Sequence, residues 1–211
     1  MSSYIKDKTS ANKDFAQFHD QLKFHLKGDL IIDVESDENK LAKLLDMDAG
    51  IDLLMKQGNQ LIPMSIRSQW GLDRQTFTIR YKRYSEKTTE YEKRTAVLLE
   101  KKGGLYPFFT IHAYLEKRDE KTKLLSCCVV KTEDLYRYIL IKMPNIKRQH
   151  CKEGNEFLYI PFQDLINAKI NIVFFGDNQL KTNTFNQNVS IKGQNGFFQR
   201  TLDQPPLSIY F

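Results

Sequence analysis

The chain predicts an α/β fold, a central mixed β-sheet flanked by helices, and three observations carry that expectation. Segments with apolar residues at helical spacing alternate with segments of strand period. Glycines and polar turns stand between the two kinds of segment. The 211 residues are 41% hydrophobic and 12% aromatic, enough for one domain with a substantial core and too apolar for a disordered chain.

Residues 12–27 read as an amphipathic helix, with Asn12 as cap, Phe15, Phe18, Leu22 and Leu26 at helical spacing, and Gly28 as stop. Residues 29–34 (Asp-Leu-Ile-Ile-Asp-Val) read as a short strand or an extended connector. Ser36 is placed to cap a second helix, whose stripe is Leu41, Leu44 and Leu45 and which ends over residues 46–50. Residues 51–56 and 61–68 then read as strands around the turn Gln57-Gly58-Asn59-Gln60, where glycine suits a positive φ. Residues 76–83 alternate, with Phe77, Ile79 and Tyr81 on one face and Thr78, Arg80 and Lys82 on the other, as a half-buried strand does.

Thr88 or Thr89 caps a helix reaching to about Lys102, and Gly103-Gly104 stops it. Residues 105–115 form a long aromatic strand whose start Pro107 marks. Residues 124–130 read as a buried strand, 131–134 open a short helix, and 156–160 form a further strand. Pro161 suits the first turn of a helix ending at Ala168, and residues 170–175 are the last core strand. Beyond Gly176 the composition turns to Asn, Gln, Gly, Thr and Lys. The organisation expected is a tail over 1–11, a domain over 12–175, and a polar arm over 176–211 that docks through Phe185, Phe197 and Phe198.

A formal net charge of +6 fits either a basic soluble protein or one with a polyanionic partner, nucleic acid or a membrane surface. No apolar run approaches the roughly 20 residues that span a bilayer, so no membrane partner is expected. The opening Met1-Ser-Ser-Tyr-Ile-Lys-Asp-Lys is polar throughout. Cys127, Cys128 and Cys151 make no Cys-x-x-Cys pair, and buried or idle thiols in a cytoplasmic protein are the expectation. Phosphate-loop and nucleophile-elbow motifs are absent, which removes support for metabolic enzyme classes.

Asp52 closes the run Asp46-Met47-Asp48-Ala49-Gly50-Ile51-Asp52. Across the hairpin, Ser65, Arg67 and Gln69 share one face of the second strand, while Ile62, Met64 and Ile66 point to the other. A polar stripe facing an acid on an otherwise apolar hairpin is the local rule-breaking expected at a functional site. The plainer alternatives are an Asp52 that bonds turn amides and an Arg67 that pairs with it as a structural ion pair.

With its helix, three strands, helix and strand over residues 36–115, the chain resembles the PD-(D/E)XK nuclease-like superfamily. Gly50-Ile51-Asp52 matches the acidic site of that superfamily. Ser65-Ile66-Arg67 or Arg67-Ser68-Gln69 stands where its Glu-x-Lys lies, so the second carboxylate of the motif is missing. Residues 77–94 are similar to a group of uncharacterised phage and mobile-element proteins that carry the same Ala-Gly-Ile-Asp segment.

The resemblance implies a restriction-endonuclease-like core (αβββαβ) and a divergent nuclease acting on DNA with Mg²⁺ or Mn²⁺. In it Asp52 and Asp46 hold the metal, with Asp48 and Glu35 behind them, and Arg67 and Gln69 act catalytically on the scissile phosphate. Gln69 has no base function at neutral pH and orients water or substrate.

From Arg80 to Lys102 there are eight Lys or Arg and four Glu, with Tyr81, Tyr84 and Tyr91 interleaved. Arg80, Lys82, Arg83, Lys93 and Arg94 are therefore the expected phosphate contacts, although such a run is also the ordinary composition of a solvated helix face. A second basic cluster over 142–152, with Lys147, Arg148 and His150, reads as a loop over the substrate. His19, His25 and His112 are isolated and read as structural. Two further functions remain open: a nucleic-acid-binding module that has lost catalysis, and a phage or plasmid protein that binds a partner or itself, a homodimer included.

Overall fold

A computed structural model describes residues 18–34, 45, 49–84, 88–100, 103–118, 122–151 and 154–180. The expected tail, the first turns of the helix expected over 12–27, most of the helix expected from Ser36 (residues 35–44 and 46–48), and the metal candidates Asp46, Asp48 and Glu35 lie outside these residues, as does the arm beyond residue 180. The chain divides into a unit of Met1–Lys181, which holds every described helix and strand, and a unit of Thr182–Phe211.

The fold is α/β. Helix α1 (His19–Leu26) leads into strand β1 (Leu30–Asp33), followed by β2 (Leu53–Gln57), β3 (Gln60–Trp70) and β4 (Thr76–Lys82). Helix α2 (Glu90–Leu98) precedes β5 (Phe109–Leu115) and β6 (Leu124–Lys131). Helix α3 (Thr132–Lys142), β7 (Lys147–His150), β8 (Glu156–Pro161), α4 (Phe162–Asn167) and β9 (Ile172–Phe175) complete it. Six strands form a mixed sheet in the order β1-β2-β3-β5-β6-β9, in which only β3 and β5 run parallel. A parallel pair needs a long crossover, and the segment carrying β4 and α2 supplies it.

Local chemistry explains the turns that matter. Between β2 and β3, Gly58 sits at φ +56°, and its N–H donates to Asp29 Oδ2 at 2.7 Å. At the start of α2, the Thr89 hydroxyl accepts from Glu92 N while the Glu92 carboxylate accepts from Thr89 N, a reciprocal capping box. The helix ends at Leu98, short of the expected Lys102.

Strand β4 does not stay with its hairpin neighbours. It pairs antiparallel with β8, and β8 pairs with β7, as a second three-stranded sheet. Residues 147–150, expected as a loop, are thus an edge strand. The inner face of the second sheet (Phe77, Ile79, Leu158, Ile160) packs with Tyr114, Cys128 and Val130 of the central sheet and with Leu135, Tyr136 and Ile139 of α3. Phe162 and Leu165 of α4 complete that core.

The free edge of β4 is closed by side chains of the central sheet. Tyr114 Oη accepts from Thr76 N at 3.2 Å and donates to Thr76 O at 2.8 Å. His112 Nδ1 accepts from Thr78 N at 3.3 Å, and Arg67 donates to Thr78 O. An exposed strand edge invites unwanted pairing, and covering it is one of the ways proteins avoid that. This docking also buries Thr78, which the alternation placed on a solvent face.

Candidate functional site

The seam between the two sheets opens into a cavity of about 670 Å³. Its wall brings together Asp52, Arg67, Arg80, Arg83, Lys93 and Arg94 from the expected set, with Glu90 and His112 in addition. Among the described residues, five cations therefore face two carboxylates. Gln69 does not line the cavity; its Nε2 donates to Thr78 Oγ1 at 3.3 Å, so it holds β4 instead. Lys82 is also outside the cavity wall, largely exposed, with Nζ 3.6 Å from Glu156.

Asp52 directly precedes β2, and its backbone is pinned from both sides. Val34 N donates to Asp52 O at 2.9 Å, and Asp52 N donates to Met64 O at 3.0 Å. The residue thus continues the ladder between β1 and β3, after Gly50 has turned the chain at φ +58°. Its carboxylate reaches the neighbouring strand, where Oδ2 accepts from Ile66 N at 2.6 Å.

Arg67 pairs with Glu90, not with Asp52. Its Nη2 lies 3.1 Å from Glu90 Oε2, and the other end of the guanidinium holds the Thr78 carbonyl. Arg94 is committed in the same way. It is 5% exposed and donates to the carbonyls of Ala49 and Gly50, the latter at 3.0 Å. Burial pushes this guanidinium below its ordinary pKa, against the pull of Tyr136, Glu90 and Asp52.

Arg80 differs from both. Its Nε is buried and has no hydrogen-bond partner among the described residues. Burial lowers its pKa first, and repulsion from Arg83 and then Arg67 adds to that. A guanidinium crowded by like charge, with an unused buried donor, is relieved by an anion. His112, beside Arg67 in the parallel register, is fully enclosed. Burial, with Arg67 adding, holds its pKa well below 6.5, so the ring is neutral. Because Nδ1 accepts from Thr78, the proton sits on Nε2, which has no partner among the described residues.

Among the described residues, no three His, Cys, Asp or Glu side chains gather as metal ligands. Mg²⁺ needs only one or two carboxylates when phosphate and water complete its shell. Asp52 and Glu90 are the acids at this cavity that meet that minimum.

Sequence reasoning missed Glu90 and His112. The first was legible in part, since the Thr89 cap fixes Glu90 as the first residue of α2. The second depends on β5 lying next to β3, which nothing local specifies. No helix among the described residues is long and apolar enough to cross a membrane. The chain matches no protein-family model, no curated protein and no solved structure.

Proposed function

We propose that the cavity binds the phosphate backbone of nucleic acid. The observation that carries this reading is the five-to-two excess of cations around one cavity among the described residues, with the buried Nε of Arg80 left without a partner there. Arg67 and Arg94 hold backbone carbonyls and so set the shape of the site, and the charges of Arg80, Arg83 and Lys93 add to the field that attracts phosphate. Titrating the full chain against labelled single-stranded and duplex DNA at several salt concentrations tests it. Binding that weakens steeply with salt, and that Arg80→Ala together with Lys93→Ala diminishes, is the expected result. Salt-independent binding, or affinity untouched by the pair of substitutions, overturns it.

A second reading, Mg²⁺-dependent hydrolysis of the bound strand, is favoured by one observation: Asp52 and Glu90 line the same cavity. They are the residues that would hold the ion, with Glu90 replacing the Asp46 of the sequence expectation. The ion would polarise the phosphate and activate water. Glu90 must then release Arg67, which becomes free to face charge on phosphate oxygens. Plasmid nicking with Mg²⁺ or Mn²⁺ that disappears in both Asp52→Asn and Glu90→Gln supports hydrolysis. Binding without nicking leaves the module that only binds.

A further inference from the structure

The outer face of the second sheet carries groups that the core does not use. Along β8 the side chains alternate: Leu158 and Ile160 are buried in the core, while Phe157 and Tyr159 stand half-buried on the opposite face. Neither of these two rings is part of the core that the inner face builds. The register sets Phe157 between Arg80 and Gln149, and Tyr159 between Thr78 and Lys147. No carboxylate stands among these six residues. The two rings lie about 7 Å apart along the strand, given its rise of about 3.3 Å per residue.

Arg80 links this face to the cavity. Its guanidinium lies 5.4 Å from the Phe157 ring centroid, and the same side chain lines the cavity wall. Lys147, on the far side of Tyr159, is exposed at the sheet edge. Aromatic rings in a row, bordered by cations and with no acid at the six paired positions, suit a ligand with flat apolar rings on an anionic backbone. Duplex bases hide their ring faces in the stack, whereas unpaired bases offer them.

We infer that this outer face is a stacking platform for single-stranded nucleic acid. Bases lie on Tyr159 and Phe157, and the backbone passes Arg80 into the cavity. The inference rests on the phosphate-binding reading of the cavity and names the form of nucleic acid it takes.

Anisotropy titrations of the full chain with a short oligothymidylate and with a DNA hairpin duplex test it. The variants are Tyr159→Ala, Tyr159→Leu, which fills the space without a ring, and Tyr159→Phe, which keeps the ring. Alanine and leucine should weaken binding of the single strand about 5- to 150-fold, the range for losing one stacked base. Phenylalanine should restore it, and hairpin binding should change far less. Equal losses on both probes, or an unchanged single-strand affinity in Tyr159→Leu, overturn the platform while the cavity reading stands. Wild type that binds neither probe overturns the cavity reading, and the platform with it.

Discussion

Two walls of the same cavity use arginine for opposite ends. On one, Arg67 and Arg94 are spent on the chain: they hold the carbonyls of Thr78, Ala49 and Gly50, and Arg67 also meets Glu90. On the other, Arg80 keeps a buried donor without a partner among the described residues and is pushed by Arg83 and Arg67. Residue type and net charge do not distinguish these roles. What distinguishes them is whether backbone acceptors are within reach, because an unmet buried carbonyl costs about 1–3 kcal/mol and captures the nearest guanidinium. The first wall is therefore architecture and the second is available to a ligand.

Removing Arg94 should have the largest effect. Arg94→Ala strands two carbonyls beside Asp52 and opens a void, for an expected loss of about 2–5 kcal/mol of stability. Thermal unfolding should fall by about 5–15 °C. Arg94→Lys should recover little, since one ammonium does not reproduce the fork that spans both carbonyls. A melting temperature within a degree or two of wild type would place Arg94 on the ligand's wall instead. Arg67→Ala comes next, at about 1–3 kcal/mol, because it frees Thr78 O and leaves Glu90 without its cation in a half-exposed setting. Loss of nucleic-acid affinity without loss of stability in this variant would break the comparison.

The pH dependence of stability sharpens the architectural side. His112 is neutral in the fold because burial, then Arg67, lowers its pKa well below 6.5. The unfolded chain protonates this ring as pH falls through about 6.5 and the folded chain does not, so acid favours unfolding. The stabilising contribution is complete above the unfolded pKa and is lost at up to about 1.4 kcal/mol per pH unit below it. His112→Gln keeps an acceptor for Thr78 N and removes the proton site. Denaturant titrations at pH 7.5 and 5.5 should show a shallower loss in the variant. An identical slope would mean that His112 is open to solvent.

Much of the fold was legible because each element carried its own signal. The alternation of Phe77 and Ile79, the Thr89 cap and the apolar run of residues 124–130 needed no knowledge of distant residues. Hydrophobic pattern located helix α2 and strands β2 to β6, although α2 stops at Leu98, β5 begins only at Phe109 and Thr78 is buried against its alternation. What the sequence did not disclose is pairing over long separations. Strand β4 leaves its hairpin for β8, whose residues come more than seventy positions later, and β3 finds β5 only after α2. The site divides the same way. Asp52, Arg67, Arg80, Arg83, Lys93 and Arg94 do converge on one cavity. Gln69, which shares a strand face with Arg67, is instead drawn to Thr78 once β4 docks.

On the wall proposed to meet nucleic acid, the expected effects concern affinity. Arg80→Ala should leave stability within about 1 kcal/mol, weaken binding of single strands and duplexes alike, and reduce the salt slope by about one. A stability loss as large as that of Arg67→Ala would show Arg80 to be architectural as well.

The smallest effect belongs to Lys82, which strict alternation sets on the same face as Arg80. The register with β8 slips between these two residues: Arg80 stands opposite Phe157 and Lys82 opposite Glu156, with Tyr81 as the extra residue. Such a bulge turns the following side chain and ends the period of two. Lys82 is accordingly outside the cavity, two-thirds exposed, and 3.6 Å from a carboxylate. At 3.6 Å and with its lysine end in solvent, such a pair contributes about 0–1 kcal/mol. Lys82→Ala should therefore lower the melt by no more than about 4 °C and the affinity by no more than a factor of about two, while Arg80→Ala, two residues away, weakens binding severalfold. Equal losses from the two substitutions would mean that nucleic acid follows the strand's charges without entering the cavity, and the distinction between the two walls would fall.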